Sequence, residues 1–525
     1  MRNASVGSVR YGWPVLFADV ARASAEVSET RGRKKKVERI ATLLREAPHE
    51  ERAIAARYLS GEVGHKLGIG YATVGEMRTS VPPASEPRLT LTETNARFAA
   101  MVGLSGPGSQ TTRKDRYGAL LALATADEQG LLAALVIGEI RQGALDAIVV
   151  EAVALATELP SDRVRAAYML AGDVGVVAEA ALADGAAGIA RFGLTLFRPV
   201  LPMLAQSAES ATEALASFAG PAAMELKIDG FRVQLHKDGN EVKAYSRALN
   251  DVTAQVPEIL EMTRALPAQK LILDGEAIAL APDGRPLPFQ DTMVRFGKDK
   301  SLVDKVPLSL SVFDALLVDD QTMLGMPARE RFAVVDTLAR AHAVPRVITG
   351  SAEEAEAFFA KARAAGHEGV MAKALEAPYD AGSRGGAWVK IKHVHRLDLV
   401  VLAAEWGSGR RKGWLSNIHL GARDPNAGFV MVSKTFKGMT DEILKWQTAE
   451  LLARQVDRDG HIVYVRPELV VEIAFNDVLR SSQYPGGLAL RFARLVRYRD
   501  DKTAEQADTI DQLRAIAIQA GVVSS

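Results

Sequence analysis

The run Lys227-Ile-Asp-Gly-Phe-Arg232 holds the residue types of a covalent nucleophile site. Its lysine is followed by Asp229 and by Gly230, whose missing side chain lets a ligand come close. An amine that is partly desolvated and near other cations can lose its proton and attack phosphorus. Taken alone, the same run reads equally well as a charged turn. The other runs that could do chemistry carry phosphate-binding cations and carboxylates. Leu273-Asp-Gly-Glu-Ala-Ile278 sets Asp274 and Glu276 on one strand face, and Glu368-Gly-Val-Met-Ala-Lys373 brings another carboxylate and another lysine. Arg384-Gly-Gly-Ala-Trp-Val-Lys-Ile-Lys392 puts Lys390 and Lys392 on one face, and Phe313-Asp-Ala-Leu316 offers a ring at a strand start. Charge in apolar strand contexts is costly unless it is used. Together these groups suit a polyanion carrying a base: cations for phosphates, carboxylates for a divalent metal, a ring for stacking. Phosphoryl-type transfer requires chiefly such positioned charge. Oxygen-only ligation favours magnesium over zinc or copper.

Two lookalikes read more simply, and a third, a glycine run, does not. His393 and His395 alternate on a strand without a third ligand and read as surface residues. Gly103–Gly108 lacks the lysine of a phosphate-binding loop and reads as a plain loop. Gly138–Gly143, entering a helix from Ala144, can aim free backbone amides at a phosphate, against the alternative of a plain helix connection.

The elements that must position these residues fall into three textures. To about residue 205 helices follow one another; Val37, Ile40, Leu43 and Leu44 recur at helical spacing, and Phe197-Arg-Pro-Val-Leu-Pro202 reads as an extended exit. From Met224 strands mix with helices. Phe231–Lys237 alternates apolar and polar, Asp238-Gly239 marks a turn, and Glu241–Ser246 returns, so Lys227 stands just before a tight strand pair. Leu271–Leu280, Leu308–Val318 and Trp388–Val394 also read as strands, and Ala352–Ala365 as a helix. From Asp398 the short runs Leu399–Ala404, Ile418–Leu420, Phe429–Ser433 and Leu469–Ala474 suggest a small β-barrel, closed by a helix or tail over Thr503–Gln519.

With 525 residues, 48% hydrophobic and 24% charged, the chain is long enough for several cores. No apolar run reaches the roughly 20 residues of a membrane span, and no signal peptide is evident, so a cytoplasmic protein is expected. The absence of cysteine excludes disulfides, thiol catalysis and cysteine zinc sites. Net charge is zero, so nucleic-acid contact would depend on local clusters such as Arg31–Lys36 and the zone from Arg384 to Lys412.

The order Lys-x-Asp-Gly, Asp-Gly-Glu, Phe-Asp-x-Leu, Glu-Gly-x-x-x-Lys and Lys-x-Lys resembles the covalent nucleotidyltransferases: DNA ligases, RNA ligases and capping enzymes. Arg491-Phe-Ala-Arg494 with Arg499-Asp-Asp-Lys502 is similar to the last motif of ATP-dependent DNA ligases. Ile140-Arg-Gln-Gly-Ala-Leu145 and Ala171-Gly-Asp-Val-Gly175 resemble the DNA-binding domain of the three-domain cellular type. The resemblance covers nearly the whole chain from Val15. It implies an all-α DNA-binding domain (1–205), an α+β, ATP-grasp-like nucleotidyltransferase domain (206–397), and an OB-fold β-barrel with a tail (398–525). It also implies an enzyme that seals nicks in double-stranded DNA, in replication, repair or recombination, with ATP and Mg2+ (or Mn2+).

Residue by residue, the resemblance makes Lys227 the lysyl-AMP, places Glu225 at the adenine edge and stacks Phe313 on adenine. Arg232 and Arg247 match arginines near ribose and phosphates, Glu276 the residue at the ribose and metal, and Glu368 a second metal-linked carboxylate. Lys373, Arg384, Lys390 and Lys392 match phosphate-side cations. Arg499 and Lys502 belong to the motif that swings over ATP. The family usually carries proline where Ala493 stands, which would loosen that turn. A monomer is expected, with a hinge near Arg396–Leu399. Rival readings are an RNA-end ligase or cap-forming guanylyltransferase, and a non-catalytic DNA clamp; NAD as donor is disfavoured by the missing cysteines.

Overall fold

The computed structural model describes residues 15–30, 32–64, 67–140, 146–296, 306–380, 382, 385–426 and 428–523. Two compact units divide at Pro202/Met203.

The first unit is helical from Phe17–Glu29 to Val174–Ile189. Local chemistry punctuates it. Thr125 and Glu128 form a reciprocal capping box at the start of Ala126–Ile137. Ser161–Ala171 ends at Gly172, whose φ of 68° is the left-handed conformation that stops a helix, and Asp173 then caps the next helix through Gly175 and Val176. Phe17, Ile40, Leu44, Leu59, Phe98, Leu132, Val149 and Val177 pack one core. No helix among the described residues is long and apolar enough to cross a membrane. The expected extended exit is not regular: Phe197 has φ 64°.

The second unit contains β1 (Gln206–Ala208), β2 (Ala222–Lys227), β3 (Phe231–Asp238), β4 (Glu241–Ser246), β5 (Lys270–Ala279), β6 (Leu308–Val318), β7 (Gln321–Thr322), β8 (Arg346–Thr349), β9 (Gly369–Ala374) and β10 (Trp388–Lys392). These make two five-stranded sheets, β1-β10-β9-β2-β8 and β4-β3-β5-β6-β7. Helix Ala352–Ala364 and helix Ala211–Ala216 cover the first, through Ala355, Ala362 and Leu215 against Met224, Val370 and Ile391. Helix Pro257–Arg264 and helix Ala328–Leu338 cover the second. The β3–β4 hairpin turns at Gly239, φ 58°.

The C-terminal part holds β11 (His395–Trp406), β12 (Leu415–Asp424), β13 (Gly428–Thr435), β14 (Gln455–Asp459), β15 (Ile462–Val465), β16 (Val470–Phe475), β17 (Asp477–Arg480), β18 (Leu488–Arg491) and β19 (Arg494–Tyr498). One sheet runs β13-β12-β11-β15-β14, with β16 joining β11 to β19; β17 and β18 form a separate pair. The expected closed barrel is not formed: the ladder does not return from β19 or β14 to β13 among the described residues. Bulges at Val401/Ala403 and Glu405/Trp406 bend β11 instead. The helical region near the end is shorter than expected, Ile510–Gln519, after a single 3-10 turn at Ala504–Gln506. Residues Arg396–Leu399, where a hinge is expected, lie in β11 and pair in register with β16, and residues 393–394 between β10 and β11 belong to no strand.

Candidate active site

Lys227 is the last residue of β2, held between β8 and β9 and in register with Gly369. The next three residues cross to β3 in the other sheet, so the lysine sits where the two sheets part. Gly230 is required there for a backbone reason: a Cβ would lie 2.3 Å from the carbonyl oxygen of Ala277 on β5. The glycine therefore serves the packing of the turn against β5. A cavity of about 730 Å³ opens at this seam, lined by both sheets and by Arg491 and Phe492 from the C-terminal part.

Charges inside the cavity are matched in pairs. Glu368 takes both Lys227 and Lys392 in ion pairs. Glu276, facing the same space from β5, accepts the N–H of Gly230 at 3.2 Å. Burial pulls the Lys227 amine down, but Glu368, Glu276 and Asp229 outweigh it and hold the amine above its ordinary value. These carboxylates oppose the desolvation on which the expectation of a deprotonated amine rests. The sequence showed the cations nearby and not how closely the carboxylates would sit. Burial raises Glu276 to about 7 despite Lys227 and Arg232. Burial also pushes Glu368 up, yet Lys227 and Lys392 bring it below the usual carboxylate range. Lys392 is lowered by burial.

Deeper in the cavity, Lys373 is 1% and Glu225 2% exposed, and they meet at 2.5 Å; Arg346 holds the other Glu225 oxygen at 2.9 Å. Burial lowers Lys373. Its ammonium lies 4.9 Å from the Phe313 ring centre and 4.4 Å from that of Trp388. Phe313 and Trp388 meet edge-on at 6.0 Å, leaving an aromatic corner in the lining. Arg232 grips Asp274 through two bonds of 3.0 and 2.6 Å, and Tyr379 donates to the same carboxylate at 2.6 Å. Asp274 is thus an anchor for Arg232. It does not pair with Glu276 toward an ion, although both lie on one strand face.

Glu276 and Glu368 flank Lys227, and no group of three or more His, Asp and Glu that could hold a metal exists among the described residues. A magnesium ion fits two carboxylates, since it keeps several waters and takes phosphate oxygens for the rest. His393 and His395 meet edge-on at 4.1 Å, and His395 stacks on Phe475. Burial lowers His395 to about 4.

Sequence comparison fixes the lineage. Residues 202–392 match the family model described as ATP dependent DNA ligase domain, and residues 411–502 match the ATP dependent DNA ligase C terminal region. The chain is 52% identical over 96% of its length, and 99% of the relative's, to a probable DNA ligase of Anaeromyxobacter sp. (strain K). A probable DNA ligase of Mycolicibacterium gilvum is 51% identical over 96% of the chain and 99% of its own. This chain belongs to the ATP-dependent DNA ligase family. A solved structure named Pmar-Lig_Pre has the same fold over 92% of this chain and 99% of its own, with a TM-score of 0.62 at 17% identity.

Of the family positions expected in the site, Lys227, Glu225, Arg232, Arg247, Glu276, Phe313, Lys373, Lys390 and Lys392 line one cavity. Glu368 reaches it through its two lysines. Arg384 lies outside the described residues, as do residues 141–145 of the expected phosphate-facing break. Arg499 and Lys502 do not line the cavity; both bind Asp398, at 2.8 and 2.5 Å. Three contributions went unread in the sequence. Arg491 binds Asp229 across 262 positions and lies 4.0 Å over Phe289. Phe492 faces both Lys392 and Lys437 at 5.5 Å. Trp388 forms the aromatic corner. All three stood within quoted runs, so their types were visible and their neighbours were not. Ala493 also finds its reason: Phe492 has φ 59°, a conformation that a following proline disfavours.

Proposed function

We propose that this ATP-dependent ligase seals nicks in duplex DNA through an AMP carried on Lys227. The observation that carries this reading is the placement of Lys227 at the sheet seam, between Glu368 and Glu276, with Lys390 and Lys392 along the same cavity. ATP enters with its base toward Phe313 and Trp388, beside Glu225 and Lys373, and its phosphates toward Lys390, Lys392 and Arg247. The nitrogen of Lys227 forms a bond to the α-phosphorus, and the bond to the pyrophosphate oxygen breaks. Pyrophosphate leaves with the electron pair. Glu368, Glu276 and Asp229 favour the charged form of the lysine, so its proton passes to water before the nitrogen attacks. AMP then passes to the 5′-phosphate at the nick, and the 3′-hydroxyl displaces it. Glu276 and Glu368 would hold a magnesium ion, which would supply charge neutralisation at the phosphates.

Domain limits of 1–205, 206–397 and 398–525 suit this division of labour, with the helical unit gripping DNA. The bent β11, paired to β12 on one side and to β15 and β16 on the other, supports an OB-type reading of the last domain. Labelled ATP tests the proposal. Label on the native chain should survive alkali, be lost in acid, and be absent from Lys227→Ala, and the native chain should seal a nicked duplex. Labelling from GTP or NAD, or sealing confined to RNA, would replace this function by another of the same superfamily.

A further inference from the structure

Beyond the Arg491–Phe289 contact at the cavity, the C-terminal sheet part meets the catalytic part again through the outer side of the same short helix. Helix Phe289–Val294 presents Gln290 to the end of β17. The backbone N–H of Arg480 donates to Gln290 Oε1 at 2.8 Å, and Gln290 Nε2 donates to the carbonyl of Arg480 at 3.0 Å. A side-chain amide that accepts from and donates to one residue's main chain imitates a rung of a β-ladder. Beside it, Asp291 pairs with the Arg480 guanidinium, which also donates to the Val522 carbonyl at 2.9 Å. The Asp291 and Arg480 side chains are 33% and 45% exposed, so the ion pair adds little and the amide pair sets the geometry.

This rung holds one end of a lever. In the β17–β18 pair, Arg480 is opposite Leu488 and Asp477 is opposite Arg491. Gln290 therefore fixes the end of the hairpin remote from the cavity. The near end delivers Arg491 to Asp229 and Phe492, 49% exposed, to the cavity rim. In the same pose Arg499 and Lys502 are neutralised by Asp398 and Asp501 and contribute no charge to the cavity. An exposed ring with Lys437 against it offers a surface to a polynucleotide, and the basic pair that could meet a nucleotide's phosphates is turned away.

The geometry points to Gln290 as a positioning residue that fixes the C-terminal domain for the DNA-dependent steps and plays no part in charging Lys227 with AMP. The inference rests on the ligase reading above. In the full chain, two rates separate them: AMP transfer from ATP to Lys227, and single-turnover sealing of a nick already carrying AMP. Gln290→Ala should slow sealing about tenfold and leave charging within about twofold, and Arg480→Glu, which keeps the main-chain rung but sets a second carboxylate beside Asp291, should slow sealing by less. Gln290→Glu keeps the acceptor and loses the donor, so it should fall between. Adding Asp291→Arg to Arg480→Glu restores opposite charges and should recover most of the loss. Equal slowing of both steps, or unaltered sealing in Gln290→Ala, overturns the inference while native sealing keeps the ligase reading intact. A native chain that neither takes AMP from ATP nor seals removes both.

Discussion

In the helical unit two carboxylates are buried among the described residues, Glu51 and Glu128. Both serve the starts of helices. Glu51 accepts the N–H of Val15 at 2.7 Å and the hydroxyl of Thr92 at 3.1 Å, and Glu128 accepts the N–H of Thr125 at 2.7 Å. The catalytic sheets bury charge of both signs in their interiors. Arg331 and Asp314, each 0% exposed, form a bidentate pair, and Arg331 also donates to the carbonyls of Met326 and Ala377. Glu225 with Lys373 repeats the device, and buried Arg295 is held by the partly exposed Glu258. Helices satisfy their own backbone and need charge only at their ends. A site that handles phosphates must keep cations in place before substrate arrives, and buried carboxylates hold them. Asp314 follows Phe313 in β6, so its pair with Arg331 also fixes the ring in the cavity wall.

Four changes break or sharpen that contrast. Lys227→Ala should lower AMP transfer and sealing by at least about a thousandfold, with little change in melting temperature, because Glu368 keeps Lys392. Rapid-quench labelling and calorimetry on one preparation check both halves. Arg331→Met should cost about 3–5 kcal/mol, because Asp314 is left buried without its partner. Urea unfolding followed at the catalytic sheets measures it, and a loss below about 1 kcal/mol would contradict the account. Glu51→Gln in the helical unit keeps an acceptor and should cost only about 1 kcal/mol. If it equals the Arg331 loss, the two units do not differ as argued.

The smallest effect belongs to the C-terminal part. Burial pushes the Glu405 carboxyl up, but hydrogen bonds from Lys434, His419 and Asn417 outweigh it and bring it from 4.5 to about 2. A depressed carboxylate stabilises the fold above its unfolded value, and that contribution disappears as pH falls from 4.5 through 2. Melting temperature should therefore drop more steeply over that interval in the native chain than in Glu405→Gln. Parallel curves would dismiss the carboxylate as a contributor.

Much of the framework was legible before any coordinates. Leu308–Val318 is a strand with those limits, the Phe231–Ser246 hairpin turns at Gly239, and the helix from Ala352 ends one residue early. Side-chain alternation and turn residues are local properties, and local properties are written in sequence. Partnership across distance was not legible. Asp274 and Glu276 share a face by spacing, yet Arg232 and Tyr379 claim the first and only the second faces Lys227. Nothing near Asp229 announces Arg491. The C-terminal strands were visible one by one, whereas closure depends on strand tilt and register summed over the whole sheet.

The order of residue types alone determined that this chain carries lysines, arginines, carboxylates and a ring of the kinds that phosphoryl transfer uses. Those choices are chemical and survive any folding. Tertiary structure decided the protonation of the lysine, because burial and carboxylates contributed by other strands act against each other at its amine. It also decided where the C-terminal cations rest, at Asp398 and away from the cavity, because an ion pair forms with whichever opposite charge the fold brings within reach.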